Sequence, residues 1–144
     1  MQSFLPRLSL FALVALLTLP MGALAADLPD RVSEYARANL VLTVRAAPAL
    51  DSAGQMREIV RRTAIHREWQ VIGDHPGENL LVLNLVHRRS DSTLYLVYDE
   101  ETVRFYSDSW QLDRQGNRRG RAEPTGWLRN LDRDLTRNIA LAAE

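Results

Sequence analysis

Leu80-Leu81-Val82-Leu83-Asn84-Leu85-Val86-His87, Thr93-Leu94-Tyr95-Leu96-Val97-Tyr98 and Thr102-Val103-Arg104-Phe105-Tyr106-Ser107 follow one another with only short polar breaks. Leucine, β-branched and aromatic residues recur in them at a period of two, which predicts three strands. In the first, Leu81, Leu83 and Leu85 share one face, and Leu80, Val82, Asn84 and Val86 share the other. In the second, Leu94, Leu96 and Tyr98 oppose Thr93, Tyr95 and Val97. The breaks, Arg88 to Asp91 and Asp99-Glu100-Glu101, are far shorter than the dozen or so residues of a parallel crossover. Antiparallel hairpins are therefore expected.

Outward from this core, Trp69-Gln70-Val71-Ile72 predicts one more short strand, followed by a Gly73-Asp74-His75-Pro76-Gly77 loop. Asp51 to His66 predicts a helix: Ser52 and Gln55 have capping-box spacing, and Met56, Ile59, Val60, Thr63 and Ala64 form one apolar stripe. Gly126 to Ala143 predicts a second, with Thr125 as N-cap and Leu128, Leu131, Leu135, Ile139 and Ala142 as its stripe. Asn130, Arg133 and Arg137 lie off that stripe, flanked by Asp132 and Asp134. Leu40 to Val44 reads as an extra N-terminal strand, ended by Ala46-Ala47-Pro48. Two amphipathic helices and one sheet must bury their apolar faces on each other. The expected fold class is α+β: a two-layer sandwich of a four-stranded antiparallel meander, an extra N-terminal strand and two flanking helices.

The chain of 144 residues also begins with an address. Arg7 precedes an apolar run from Leu8 to Leu19; Pro20 and Gly22 break it, and Ala23-Leu24-Ala25 offers small residues at the two positions a signal peptidase reads. The run is too short for the ~20 residues of a spanning helix. The expected organisation is a signal peptide over 1–25 cleaved after Ala25, an N-terminal segment over 26–50 with one strand, and an α+β domain over 51–144. In the segment, Val32, Tyr35 and Ala36 sit at helical spacing. No segment after the leader is apolar enough to span a membrane, so a periplasmic protein is expected.

Composition excludes several chemistries. There is no cysteine, hence no disulfide scaffold, thiolate zinc site, cysteine nucleophile or lipidated cysteine. The net charge is zero, with 18 basic residues, all arginine, against 18 acidic ones. A chain without a global positive field is a poor nucleic-acid binder, and export removes that partner as well.

Arg67-Glu68-Trp69, Leu83-Asn84-Leu85, Val97-Tyr98-Asp99, Phe105-Tyr106-Ser107-Asp108-Ser109 and Gly126-Trp127-Leu128-Arg129-Asn130-Leu131-Asp132-Arg133-Asp134-Leu135 occur in this order. Over roughly residues 55–139 the chain thereby resembles a family of small proteobacterial envelope proteins, many of them lipoproteins. The closing Trp-Leu-x-Asn-Leu-Asp-Arg-Asp segment is the most specific element. The resemblance implies the fold and an envelope location, and it assigns no activity, cofactor or site residue. Without a cysteine, the lipid anchor does not carry over.

The residues with chemical potential are few. His66, His75 and His87 show no helical pairing and no HxH or HExxH pattern, so surface or capping roles are expected. Ser107, Asp108 and Ser109 lack a nucleophile elbow and read as turn formers at a strand end. Asp99, Glu100 and Glu101 would be exposed in a hairpin turn, which suits a general acid poorly. Trp69, Tyr95, Tyr98, Phe105, Tyr106 and Trp110 read mostly as core or cross-strand packing. That leaves Arg114, Arg118, Arg119 and Arg121, in a glycine-containing loop from Asp113 to Glu123 inside the polar, irregular stretch Trp110 to Thr125. Guanidinium forks match phosphate and carboxylate geometry, which makes these four the candidate anion- or partner-binding residues. The expected function is a non-enzymatic periplasmic accessory protein, without a cofactor, that binds an envelope protein or an anionic envelope surface. A small-ligand or metal-binding periplasmic protein is the alternative.

Overall fold

The computed structural model describes residues 38–144. The leader expected over 1–25 and the helical spacing around Val32 lie outside the described residues. In chain order the elements are β1 (Asn39–Arg45), α1 (Ala53–His66), β2 (Gln70–His75), a 3-10 turn (Pro76–Glu78), β3 (Leu80–His87), β4 (Ser90–Tyr98), β5 (Thr102–Leu112), β6 (Arg118–Arg121) and α2 (Thr125–Ala142). The class is α+β, with β2 to β5 in a meander and both described helices packed on one face of a six-stranded sheet, five strands in the order β1-β5-β4-β3-β2 and β6 paired to β5 off that path. All pairs are antiparallel. β1 is the expected extra strand.

The period-two reading places the core. Leu81, Leu83, Leu85, Leu94, Leu96, Tyr98, Val103 and Phe105 point to the helices and meet Met56, Val60, Ala64, Leu128, Leu131, Leu135 and Ile139. Leu131 is 1% exposed and Leu135 0%. The Ser52 hydroxyl accepts the Gln55 backbone N–H at 3.2 Å and caps α1, while the Gln55 side chain accepts from the Asp51 N–H at 3.0 Å, one residue before the cap.

Several boundaries differ from expectation. β2 continues through Gly73 to His75, where a loop was expected. A register shift between Val71 and Gly73 lets it stay paired with β3, and Arg57 of α1 holds Asp74 in a bidentate ion pair. Gly73 suits this site, because a Cβ there would lie 3.0 Å from Val82 Cγ2. Thr125 is the first residue of α2 rather than its N-cap; Pro124 takes the cap position and makes no side-chain cap bond. Ala142 is exposed, so the stripe of α2 ends at Ile139. Asp134, expected off that stripe, is 4% exposed and faces α1, where it accepts from Arg67 Nε just past the end of that helix. Close by, Asn138 Nδ2 donates to Thr63 Oγ1 at 2.9 Å.

The largest correction concerns Trp110 to Thr125. β5 runs on through Ser107, Asp108 and Ser109 to Leu112, then turns back through β6. Its outer edge is shared: β1 pairs with Thr102 to Ser107 and β6 with Trp110 to Leu112. Arginine and glycine are poor strand formers, but an unpaired edge supplies the backbone partners that propensity does not count.

Candidate functional site

The site forms where β5, β6 and the connecting turn meet on the face opposite α1 and α2. Asp113 builds the turn: its Oδ1 accepts the N–H groups of Gln115 at 2.9 Å and Asn117 at 2.8 Å, and its own N–H donates to the Asn117 carbonyl at 2.9 Å. These bonds, that from the Asn117 backbone foremost, hold the Asp113 carboxyl below the usual carboxylate range. Gly116 supplies the positive φ of 86° that closes the turn.

The returning strand sets Arg121 opposite Trp110 and Arg118 opposite Leu112, so both guanidiniums project on the Trp110 side of the sheet. Their central carbons lie 5.0 Å (Arg121) and 4.9 Å (Arg118) from the centroid of the Trp110 ring. At that distance the ring's negative face attracts both cations and restrains both side chains. Asp108, on the same face two residues before Trp110, accepts the indole N–H at 2.9 Å and sits 3.5 Å from Arg121 Nη2. One carboxylate therefore orients the ring and one of the two cations.

Of the four arginines singled out from the sequence, the structure brings two together. Arg118 and Arg121 share Trp110. Arg119 falls in the register shift of β6, Arg114 lies in the turn, and both are exposed. Trp110 and Asp108 were missed as site residues. Their i, i+2 spacing places them on one face of a strand, a signal legible only once β5 is known to extend that far.

Other groups do not assemble. Ser107 and Ser109 are wholly buried on the helix side and hydrogen-bond each other at 2.7 Å, while Asp108 points to the opposite face. They are consecutive strand residues, not turn formers and not a triad. Asp99 does form the expected turn, its Oδ1 accepting from the N–H of Thr102 at 2.6 Å and of Glu101 at 2.8 Å. His66 ends α1, His75 ends β2, and His87 ends β3 with its ring edge-on to Trp127 at 5.7 Å. Among the described residues no three His, Asp or Glu side chains stand where they could hold a metal ion. Arg57 holds the Asp74 carboxyl below its ordinary range, which removes that carboxylate as a base; burial pushes the nearby Tyr98 hydroxyl upward.

The aromatics divide by face. Trp69, Tyr98 and Phe105 are sealed in the core, whereas Tyr95, Tyr106 and Trp110 are half-buried on the other side. No described helix is long and apolar enough to cross a membrane. No family model matches the chain, and neither a curated protein nor a solved structure matches it.

Proposed function

We propose that the protein is a non-enzymatic periplasmic accessory protein of the cell envelope, akin to the small envelope proteins its sequence resembles, and that its Arg118–Trp110–Arg121 corner docks on phosphate-bearing envelope surfaces. The carrying observation is two guanidiniums restrained over one indole at an exposed hairpin. Holding each guanidinium over the ring leaves edge N–H groups pointing away from it, those of Arg121 shared in part with Asp108, and such edges carry the paired N–H groups that phosphate accepts. Restraint before binding also reduces the entropy lost on docking. The separation of the serine, histidine and carboxylate groups from one another supports a binding role over a catalytic one.

A small anionic ligand is the second reading. A groove of about 410 Å³ on the same sheet face, lined in part by Thr43, Arg45, Arg104 and Tyr106, favours it. Co-sedimentation with vesicles separates the two. The surface-docking reading predicts binding to phosphatidylglycerol vesicles at 50 mM salt, weaker binding at 150 mM, and none to phosphatidylcholine. Exposed charges are screened over about 8 Å at the higher salt, which sets the direction of that change. Equal retention by neutral and anionic vesicles would reject it.

A further inference from the structure

Two hairpin turns meet at one end of the sheet. The β3–β4 turn is Arg88-Arg89, exposed at the tip, because His87 pairs with Ser90. The β5–β6 turn carries Arg114, and Arg118 and Arg119 open the strand that follows it. The Leu112 N–H donates to the Arg89 carbonyl at 2.6 Å, and Leu112 in turn pairs with Arg118. Arg89 and Arg118 are thus two strand steps of about 4.8 Å apart. A groove of about 390 Å³ runs from Arg88 and Arg89 past Gln111 to Ala122. Among the described residues no ion pair holds Arg88, Arg89, Arg114, Arg118 or Arg119, whereas Arg57, Arg62 and Arg67, on or just past α1, are all paired. The acids of this end are engaged within the fold. Asp91 accepts from Asn84, Asp108 holds the indole and Arg121, Asp113 builds its turn, and Glu123 is half-buried.

A two-residue turn favours asparagine or glycine, which take a positive φ without strain, yet Arg88 takes φ 54° here. A long charged side chain kept at a strained position points to a use for that side chain. We propose that Arg88 and Arg89 are the second half of the docking surface, and that the protein stands end-on on an anionic phospholipid bilayer with both turns against it. This rests on the docking reading of the Arg118–Trp110–Arg121 corner and extends it across the end of the sheet. The far end supports the same orientation. There Asp51, Glu78, Asp99, Glu100 and Glu101 stand against Arg45 and Arg104, and the β4–β5 turn exposes Glu100 and Glu101. The nine residues of β4 hold that turn about 30 Å from Arg88 and Arg89. Charge is thus separated along the strands, so a surface of negative phosphates attracts one end and repels the other.

Full chains are compared for binding to phosphatidylglycerol vesicles at 50 mM salt. One variant carries Arg88→Asn with Arg89→Gln. The other, Arg61→Gln with Arg62→Gln, removes the same charge from exposed positions on α1. The turn variant should bind at least about ten-fold more weakly than wild type, and the α1 variant should lose far less. The urea midpoint of the turn variant should not fall, since asparagine suits the turn better than arginine. Equal losses would overturn the proposal, as would a lower urea midpoint alongside the lost binding, which would make the turn structural. If Arg118→Gln with Arg121→Gln loses binding while the turn variant keeps it, this proposal falls and the Trp110 corner stands; a wild type that ignores the vesicles rejects both. Orientation has its own readout. The chain has no cysteine, so a single fluorophore is placed on Gln115→Cys, in the β5–β6 turn, or on Glu100→Cys at the far end. Vesicles carrying headgroup nitroxides should quench the first label several times more strongly than the second. Equal quenching would overturn the end-on stance.

Discussion

On β4, Leu94 and Leu96 face the helices and are fully buried, whereas Thr93 and Tyr95, which alternate with them, face the other way and are half-buried. The same alternation on β5 separates buried Phe105, Ser107 and Ser109 from Arg104, Tyr106, Asp108 and Trp110. One face is thus a core built by two helices, and the other is a surface of aromatic rings, arginines and carboxylates. Because successive side chains point to opposite faces, neighbouring residues on one strand do different work. The helix-covered face sets stability, and the open face carries the candidate site. Substitutions on the two faces should therefore separate stability from binding.

The largest effect should come from Leu135→Asp. It places an unpaired charge where exposure is 0%, and a loss of more than about 4 kcal/mol is expected, enough to unfold a domain of this size. A urea titration reads it directly; a midpoint close to wild type would mean that α2 does not dock as described. Next comes Ser107→Ala. It strips the buried Ser109 hydroxyl of its partner and should lower stability by about 1–3 kcal/mol. The double change Ser107→Ala with Ser109→Ala should be less destabilising than the sum of the two single changes, since it leaves no orphaned hydroxyl. Strict additivity would show that the pair is not coupled.

Acid provides a subtler probe of the covered face. Arg67, and then Arg133, hold the Asp134 carboxyl below its ordinary range. A depressed carboxylate contributes stability that is present above its unfolded pKa of about 3.9 and is lost as pH falls through the lower folded value. The urea midpoint of the wild type should therefore drop below about pH 4, and Asp134→Asn should make that acid limb shallower. Parallel acid limbs would contradict the pairing. The smallest effect belongs to the open face, where Val86→Asp should change stability by no more than about 0.5 kcal/mol. A loss comparable to that of Leu135→Asp would erase the distinction between the faces.

The core was legible because it rests on local periods: two along Leu80 to Val86, and three to four along Met56 to Ala64. The arginine corner was only half legible. Its cations stood out as a cluster, but they looked like loop residues, since Arg118 to Arg121 has little strand propensity of its own. Only the unpaired edge of β5 beyond β1 makes β6 a strand, and only the register of that pairing puts Arg118 and Arg121, but not Arg119, beside Trp110. Asp134 was misplaced for a related reason. A carboxylate at the rim of an amphipathic stripe reads as solvated until the end of another helix supplies an arginine.

The division among the four arginines offers the most direct test of the proposed function. Two double variants, Arg118→Gln with Arg121→Gln and Arg114→Gln with Arg119→Gln, remove the same charge from the same hairpin. Binding to phosphatidylglycerol vesicles is measured for both at 50 mM salt. An arginine close to an anionic surface contributes about 1 kcal/mol, so losing the two over Trp110 should weaken binding by about thirty-fold. Losing Arg114 and Arg119 should weaken it clearly less, because neither is held over the ring before binding and each loses more freedom on docking. Equal losses from the two variants would mean that only net charge matters and would contradict a built site at Trp110.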